Sequence, residues 1–138
     1  MTAGVEGLSH IGVAVGDLAQ AEATFAALGA AQRGREVVAA EGVEVSFVRF
    51  GDLSIELLRP LDPEAEGGVA AFLRRRGPGV HHVALATQDL EALLGQLKDA
   101  GVAPIGGASR PGAEGSRVAF LHPRDTGGIL IELCEVRA

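Results

Sequence analysis

The sequence predicts an α+β protein made of two tandem copies of one module, strand, helix and three strands, and three observations carry that prediction. SHIGVAVGDLAQAEATFAALGA from Ser9 aligns without gaps on HHVALATQDLEALLGQLKDAGV from His81, so that His82 stands 72 residues after His10. Each aligned segment passes from a short alternating run to an Asp and then to an apolar stripe at helical spacing. The tails also correspond, VSFVRFGDLSIELL with VAFLHPRDTGGILIELC, once the second turn is given three extra residues.

Taken in order, the first copy is expected over residues 8–59, a connector over 60–79 and the second copy over 80–135, all within one domain spanning 1–138. Asp17 and Asp89 are suited to N-capping the helices, and Gly29 and Gly101 stand where a left-handed residue would close them. Leu90, Leu93, Leu94 and Leu97 form the packing stripe of the second helix. The last two strands of each copy are joined by GD in the first and by PRDTGG in the second. The connector PLDPEAEGGVAAFLRRRGPG carries a short helix from about Gly68 to Arg76, and Arg74, Arg75 and Arg76 at its C-terminal end complement the helix dipole or contact phosphate.

Composition narrows the function classes. With 47% hydrophobic residues the chain can build a core, and its net charge of −6 makes nucleic acid and anionic membrane surfaces poor partners. Trp and Tyr are absent, so platforms for stacking single-stranded bases are lacking. The N-terminal MTAGVEGLSH has neither a basic start nor a long apolar run, and Cys134 is alone, so a reducing cytoplasmic location is expected. Cys134 itself reads as a small buried apolar residue.

The repeat superposes His10 on His82 and Glu56 on Glu132. Period-two alternation puts Gly12 and Ala14 on the face of His10, and Ala84 and Ala86 on the face of His82, while the bulky neighbours point the other way. Glu56 between Ile55 and Leu57, and Glu132 between Ile131 and Leu133, obey the same rule. Any one of these side chains could be an ordinary structural or solvated residue. Together they form a set of metal ligands, and buried carboxylates survive when paired or metal-bound. Two imidazoles and two carboxylates suit a divalent ion, cobalt first, with manganese, nickel or zinc as alternatives.

These residues resemble a known family. HIGVAV and HHVALA, with IELL and IELC, are similar to the vicinal oxygen chelate (glyoxalase-like) superfamily, and FLHPRDTGGILIEL resembles its methylmalonyl-CoA epimerase branch. The resemblance runs from about Leu8 to Leu133. It implies two βαβββ modules forming a curved mixed sheet around a metal site, in a homodimer. It implies His10, Glu56, His82 and Glu132 as ligands; His81 should face away from them.

It further implies an isomerase interconverting (2R)- and (2S)-methylmalonyl-CoA by removing the C2 proton through an enolate held at the metal. Glu132 is then the first proton-transfer group, and Glu44 is the candidate for the second, although Glu44 stands one position from the alignment the family suggests. Ser54 occupies a position where some relatives have Lys and cannot act as that base. His122, Arg110 and Arg117 are the candidate contacts to the acyl-CoA, and ASRPGAEGSR, residues 108–117, the candidate mobile cover. Two alternatives stand beside the epimerase: a glyoxalase I, with the same ligand types, and a non-catalytic small-molecule-binding protein of this fold.

Overall fold

In the computed structural model residues 3–135 are described. The elements run β1 (Val5–Ala14), α1 (Leu18–Ala27), β2 (Ala31–Val38), β3 (Val43–Phe50), β4 (Leu53–Pro60), α2 (Gly68–Arg76), β5 (Gly79–Thr87), α3 (Leu90–Asp99), β6 (Arg110–Pro111), β7 (Arg117–Leu121), α4 (Pro123–Thr126) and β8 (Ile131–Glu135). The chain divides into two compact units, one His10–His81, the other combining the residues up to Ser9 with those from His82 onward.

The same local chemistry starts the helix in each copy. Asp17 Oδ1 accepts from the Gln20 N–H and Asp89 Oδ1 from the Ala92 N–H, each at 3.0 Å, satisfying donors that the first turn cannot. The chain leaves each helix through Gly29 and Gly101 at φ +102° and +86°, the left-handed region in which a Cβ would be strained.

In the first unit β1 and β4 run parallel, and β3 pairs antiparallel with both β4 and β2. Val15, Leu18, Val48 and Leu57 are buried together, with Phe25, Ala21 and Ile55 packed around them, so α1 covers one sheet face. That face also carries a polar clamp. Glu22 of α1 accepts from Arg35 Nη2 at 2.7 Å and from the buried Ser46 hydroxyl at 2.5 Å. These two bonds, Arg35 first, hold the Glu22 carboxyl down at about 2, well below its ordinary 4.5. Arg74 donates to the Pro63 and Ala65 carbonyls, tying α2 to the connector, and Arg76 lies over the Phe72 ring.

The second unit repeats the scheme. Strands β5 and β8 run parallel, β7 pairs antiparallel with β8, and β6 adds only Arg110 and Pro111 beside β7. Leu90, Leu93, Leu94, Ala119, Leu121 and Leu133 form the core under α3. Gln96 of α3 exchanges two hydrogen bonds with the Ala3 backbone, at 2.6 and 2.8 Å, and Thr87 donates to the Gly4 carbonyl. The strand expected directly after the helix of this copy, the counterpart of β2, is reduced to two residues.

The segment expected to be a mobile cover is a tightly packed turn. Gly112 N–H donates to the Ser116 carbonyl at 3.0 Å, Ser116 Oγ donates to the Ala113 carbonyl at 2.6 Å, and a Cβ on Gly112 would lie 2.6 Å from Val118 Cγ1.

Candidate metal centre

Register decides where the first pair of functional groups meets. In the parallel β1–β4 pairing Gly12 lies opposite Glu56, so His10, two residues before Gly12, shares the face of Glu56. Their side chains meet, His10 Nδ1 to Glu56 Oε2 at 3.3 Å, with both mostly out of solvent.

The second unit reproduces this offset. Ala84 lies opposite Glu132 in the β5–β8 pairing, and His82 again precedes it by two residues. His82 Nε2 stands 3.2 Å from Glu132 Oε1, and the two residues are 5% and 7% exposed. Phe120 lies directly across from Glu132 on β7, as Phe47 lies across from Glu56 on β3, and the Phe120 ring meets the His82 imidazole edge-on at 5.8 Å between centroids.

The donor chemistry of each pair fits a divalent ion. Neighbouring ligands of a six-coordinate ion with bonds of about 2.1 Å stand about 3 Å apart, close to both pair separations. A carboxylate this deeply buried is costly in charged form unless it is paired, hydrogen-bonded or metal-bound. Each unit by itself offers two donors, one imidazole and one carboxylate.

The remaining candidates separate by face. Glu44 lies opposite Arg59 on β4, three residues from Glu56, which turns it to the sheet face covered by α1. Its Oε1 accepts from Arg59 Nη2 at 2.8 Å and its Oε2 is 3.9 Å from Arg35 Nη1. The one-residue offset noted in the sequence therefore puts Glu44 on the side of the strand away from Glu56.

Arg117 likewise shares the α3 side of its sheet with Ala119 and Leu121, and donates to Ser109 Oγ, which in turn donates to Glu91 of α3. Arg110 is opposite Val118 and so shares the face of Phe120 and Glu132. His122 is exposed, and its Nδ1 accepts from the Arg124 N–H at 3.1 Å, capping α4. His81 packs edge-on against Phe72 at 5.2 Å.

A family model described as Glyoxalase/Bleomycin resistance protein/Dioxygenase superfamily matches residues 9–120. The ethylmalonyl-CoA/methylmalonyl-CoA epimerase of Cereibacter sphaeroides is 38% identical over 133 residues, 94% of this chain and 97% of that protein. The chain belongs to the methylmalonyl-CoA epimerase family of this superfamily. The solved methylmalonyl-CoA epimerase of Mycobacterium tuberculosis superposes with a TM-score of 0.91 at 35% identity, covering 100% of this chain and 93% of that one. A methylmalonyl-CoA epimerase crystallised with methylmalonyl-CoA and NH4+ gives 0.88 at 33% identity, covering 98% and 97%.

Membership in the epimerase family accounts for the duplicated frame and for the FLHP and GG wording around the β7–β8 turn. Sequence reasoning missed two features. Glu41, in the short turn Ala39–Glu41 before β3, is half-buried with its Oε1 shielded from solvent. Its signal was the left-handed Gly42 that follows and re-aims the chain into β3. The second is the placement of Phe120 between Arg110 and His82, legible only once the register was known.

Proposed function

We propose that the chain is a divalent-metal-dependent isomerase that interconverts (2R)- and (2S)-methylmalonyl-CoA by moving the C2 proton. The observation that carries this reading is the identical His–Glu pair at the same register in both copies, in a chain whose relatives and solved neighbours are epimerases of this substrate. Those relatives favour the epimerase over the glyoxalase I and binding-protein alternatives.

His10 and Glu56 from one copy, with His82 and Glu132 from the other, are the four protein ligands of a single ion in this proposal. Such an ion, cobalt first, supplies Lewis-acid stabilisation of charge developing on the thioester oxygen. Glu132 takes the proton from one face of C2, helped by its burial, which keeps water from competing. A second acid returns a proton to the other face. Glu44, the candidate for that acid, is paired with Arg59 on the α1 side of the sheet, away from Glu56.

His122, exposed on the surface, remains the candidate contact to the coenzyme arm, whereas Arg117, hydrogen-bonded to Ser109 on the α3 side, lies off the face of Glu132. Homodimerisation is carried over from the family resemblance. A reducing, cytoplasmic setting is supported by the single, buried Cys134. Among the described residues no helix is long and apolar enough to cross a membrane.

Proton NMR in heavy water tests the activity. The cobalt-loaded protein is expected to wash out the C2 proton signal of methylmalonyl-CoA, and to leave the thiohemiacetal of methylglyoxal and glutathione unchanged. Persistence of the C2 signal with consumption of the thiohemiacetal would assign a glyoxalase instead.

A further inference from the structure

We propose that Arg49 holds the diphosphate of the coenzyme arm, and so makes a coenzyme A thioester a better ligand than a thioester of pantetheine alone. This rests on the epimerase reading and adds the residue that recognises the coenzyme.

Register puts Arg49 on the face of the His10–Glu56 pair. Phe47 lies directly across from Glu56, and Arg49 lies across from Ser54, two residues before Glu56. Arg49 therefore stands one same-face step, about 7 Å along β3, beyond the ring that faces the pair. Burial along this face falls in the same direction. Val43, Val45, Leu58 and Pro60 are buried, whereas Phe47, Arg49, Ser54 and Glu56 are partly exposed toward the β3–β4 turn. The open end of the face is the end that carries Arg49.

The guanidinium is anchored there with donors to spare. Arg49 Nε donates to the Gly51 carbonyl at 3.2 Å, which ties the side chain to the turn, and among the described residues Arg49 has no carboxylate partner. Its two Nη groups keep four N–H donors in one plane, a fork that matches phosphate oxygens. Arg35 and Arg59, by contrast, are paired with Glu22 and Glu44 on the α1 side, and Arg74 binds carbonyls of the connector.

The second copy repeats the placement. His122 follows Phe120 by two residues as Arg49 follows Phe47, and it is exposed where Val118 is buried. The first copy thus sets a permanent cation at the place where the second has an imidazole, the candidate contact to the same arm.

Charge gives Arg49 its task. In the proposed centre the acyl end of the substrate is held at the ion, and the first anionic group beyond it along the arm is the diphosphate. The chain carries a net charge of −6, so such a ligand meets an overall repulsion that a local cation has to offset.

Calorimetric titration of the cobalt-loaded protein tests the assignment with three ligands: methylmalonyl-CoA, its dephospho form lacking the ribose phosphate, and the methylmalonyl thioester of pantetheine. Arg49→Met is expected to weaken both diphosphate-bearing ligands by about 10-fold, with the pantetheine thioester within about twofold of wild type. Arg49→Lys keeps the charge but loses the planar fork, so the same selective loss should appear at smaller size; it decides the matter if the Met variant fails to fold. Equal losses on all three ligands, no loss, or a loss confined to the ligand with the ribose phosphate would overturn the assignment while leaving the epimerase reading intact. Wild-type protein that neither binds methylmalonyl-CoA nor exchanges its C2 proton would overturn both.

Discussion

The two copies keep the same inner strands and differ in what surrounds them. Gly12 opposite Glu56 and Ala84 opposite Glu132 are one register written twice, with a Phe across from each glutamate. Outside that frame, the first copy spends eight residues on its outermost strand β2 and closes β3 to β4 with Gly51 and Asp52 alone. The second copy cuts the equivalent strand to Arg110 and Pro111 and lengthens the β7–β8 connection into α4. The difference teaches that the geometry of the His–Glu pairs is held by inner-strand register, which cannot drift by one residue without turning a side chain to the wrong face. The outer elements are free to diverge, and in the second copy the divergence brings a cation to the face of Glu132.

If the glutamates differ in task, equal substitutions should have unequal effects. Glu132→Gln is expected to lower C2 exchange by on the order of 10³-fold, because it removes a proton-transfer group. Glu56→Gln, which keeps an oxygen ligand, should cost about 10-fold. Similar losses at both positions would make the copies equivalent in chemistry as well as in register. His10→Ala and His82→Ala should by contrast weaken cobalt binding by similar factors, about 100-fold or more, in calorimetric titrations. A large disparity would mean that one copy holds the ion alone.

The repeat made the frame legible before any coordinates, since paired caps, paired glycines and paired glutamates are local signals that survive duplication. The helix expected from Gly68 to Arg76 forms over those residues. What stayed hidden depended on register or on side-chain reach. Glu44 could not be assigned a face by inspection because one residue of slip decides it, and Arg117 was grouped with Arg110 although strand alternation sends them to opposite sides. The loop at residues 108–117 is rich in glycine and small residues, a composition shared by mobile covers and by tight turns; the close approach of Gly112 to Val118 and the hydrogen bonds of Gly112 and Ser116 form a tight turn over residues 112–116.

That packing gives the next contrast. Gly112→Ala should lower stability by about 1 to 3 kcal/mol in denaturant melts, because the new methyl group collides with Val118. Gly51→Ala has open space around it and only left-handed backbone strain, at φ +60°, for a cost of about 1 kcal/mol. The smallest expected effect lies in the first copy's clamp. Glu22→Gln should lower the melting temperature by a few degrees at neutral pH. Because the folded-state pKa of Glu22 is lowered from 4.5 to about 2, its stabilisation is complete above pH 4.5 and fades as pH falls toward 2. The gap between wild type and variant should close over that interval.

Metal stoichiometry tests the central claim most directly. Titrating chelator-treated protein with cobalt should give one tight site per chain, lost in a variant of either histidine. Two independent sites per chain, or one that survives removal of His10 or of His82, would contradict the claim that both copies contribute to a single ion.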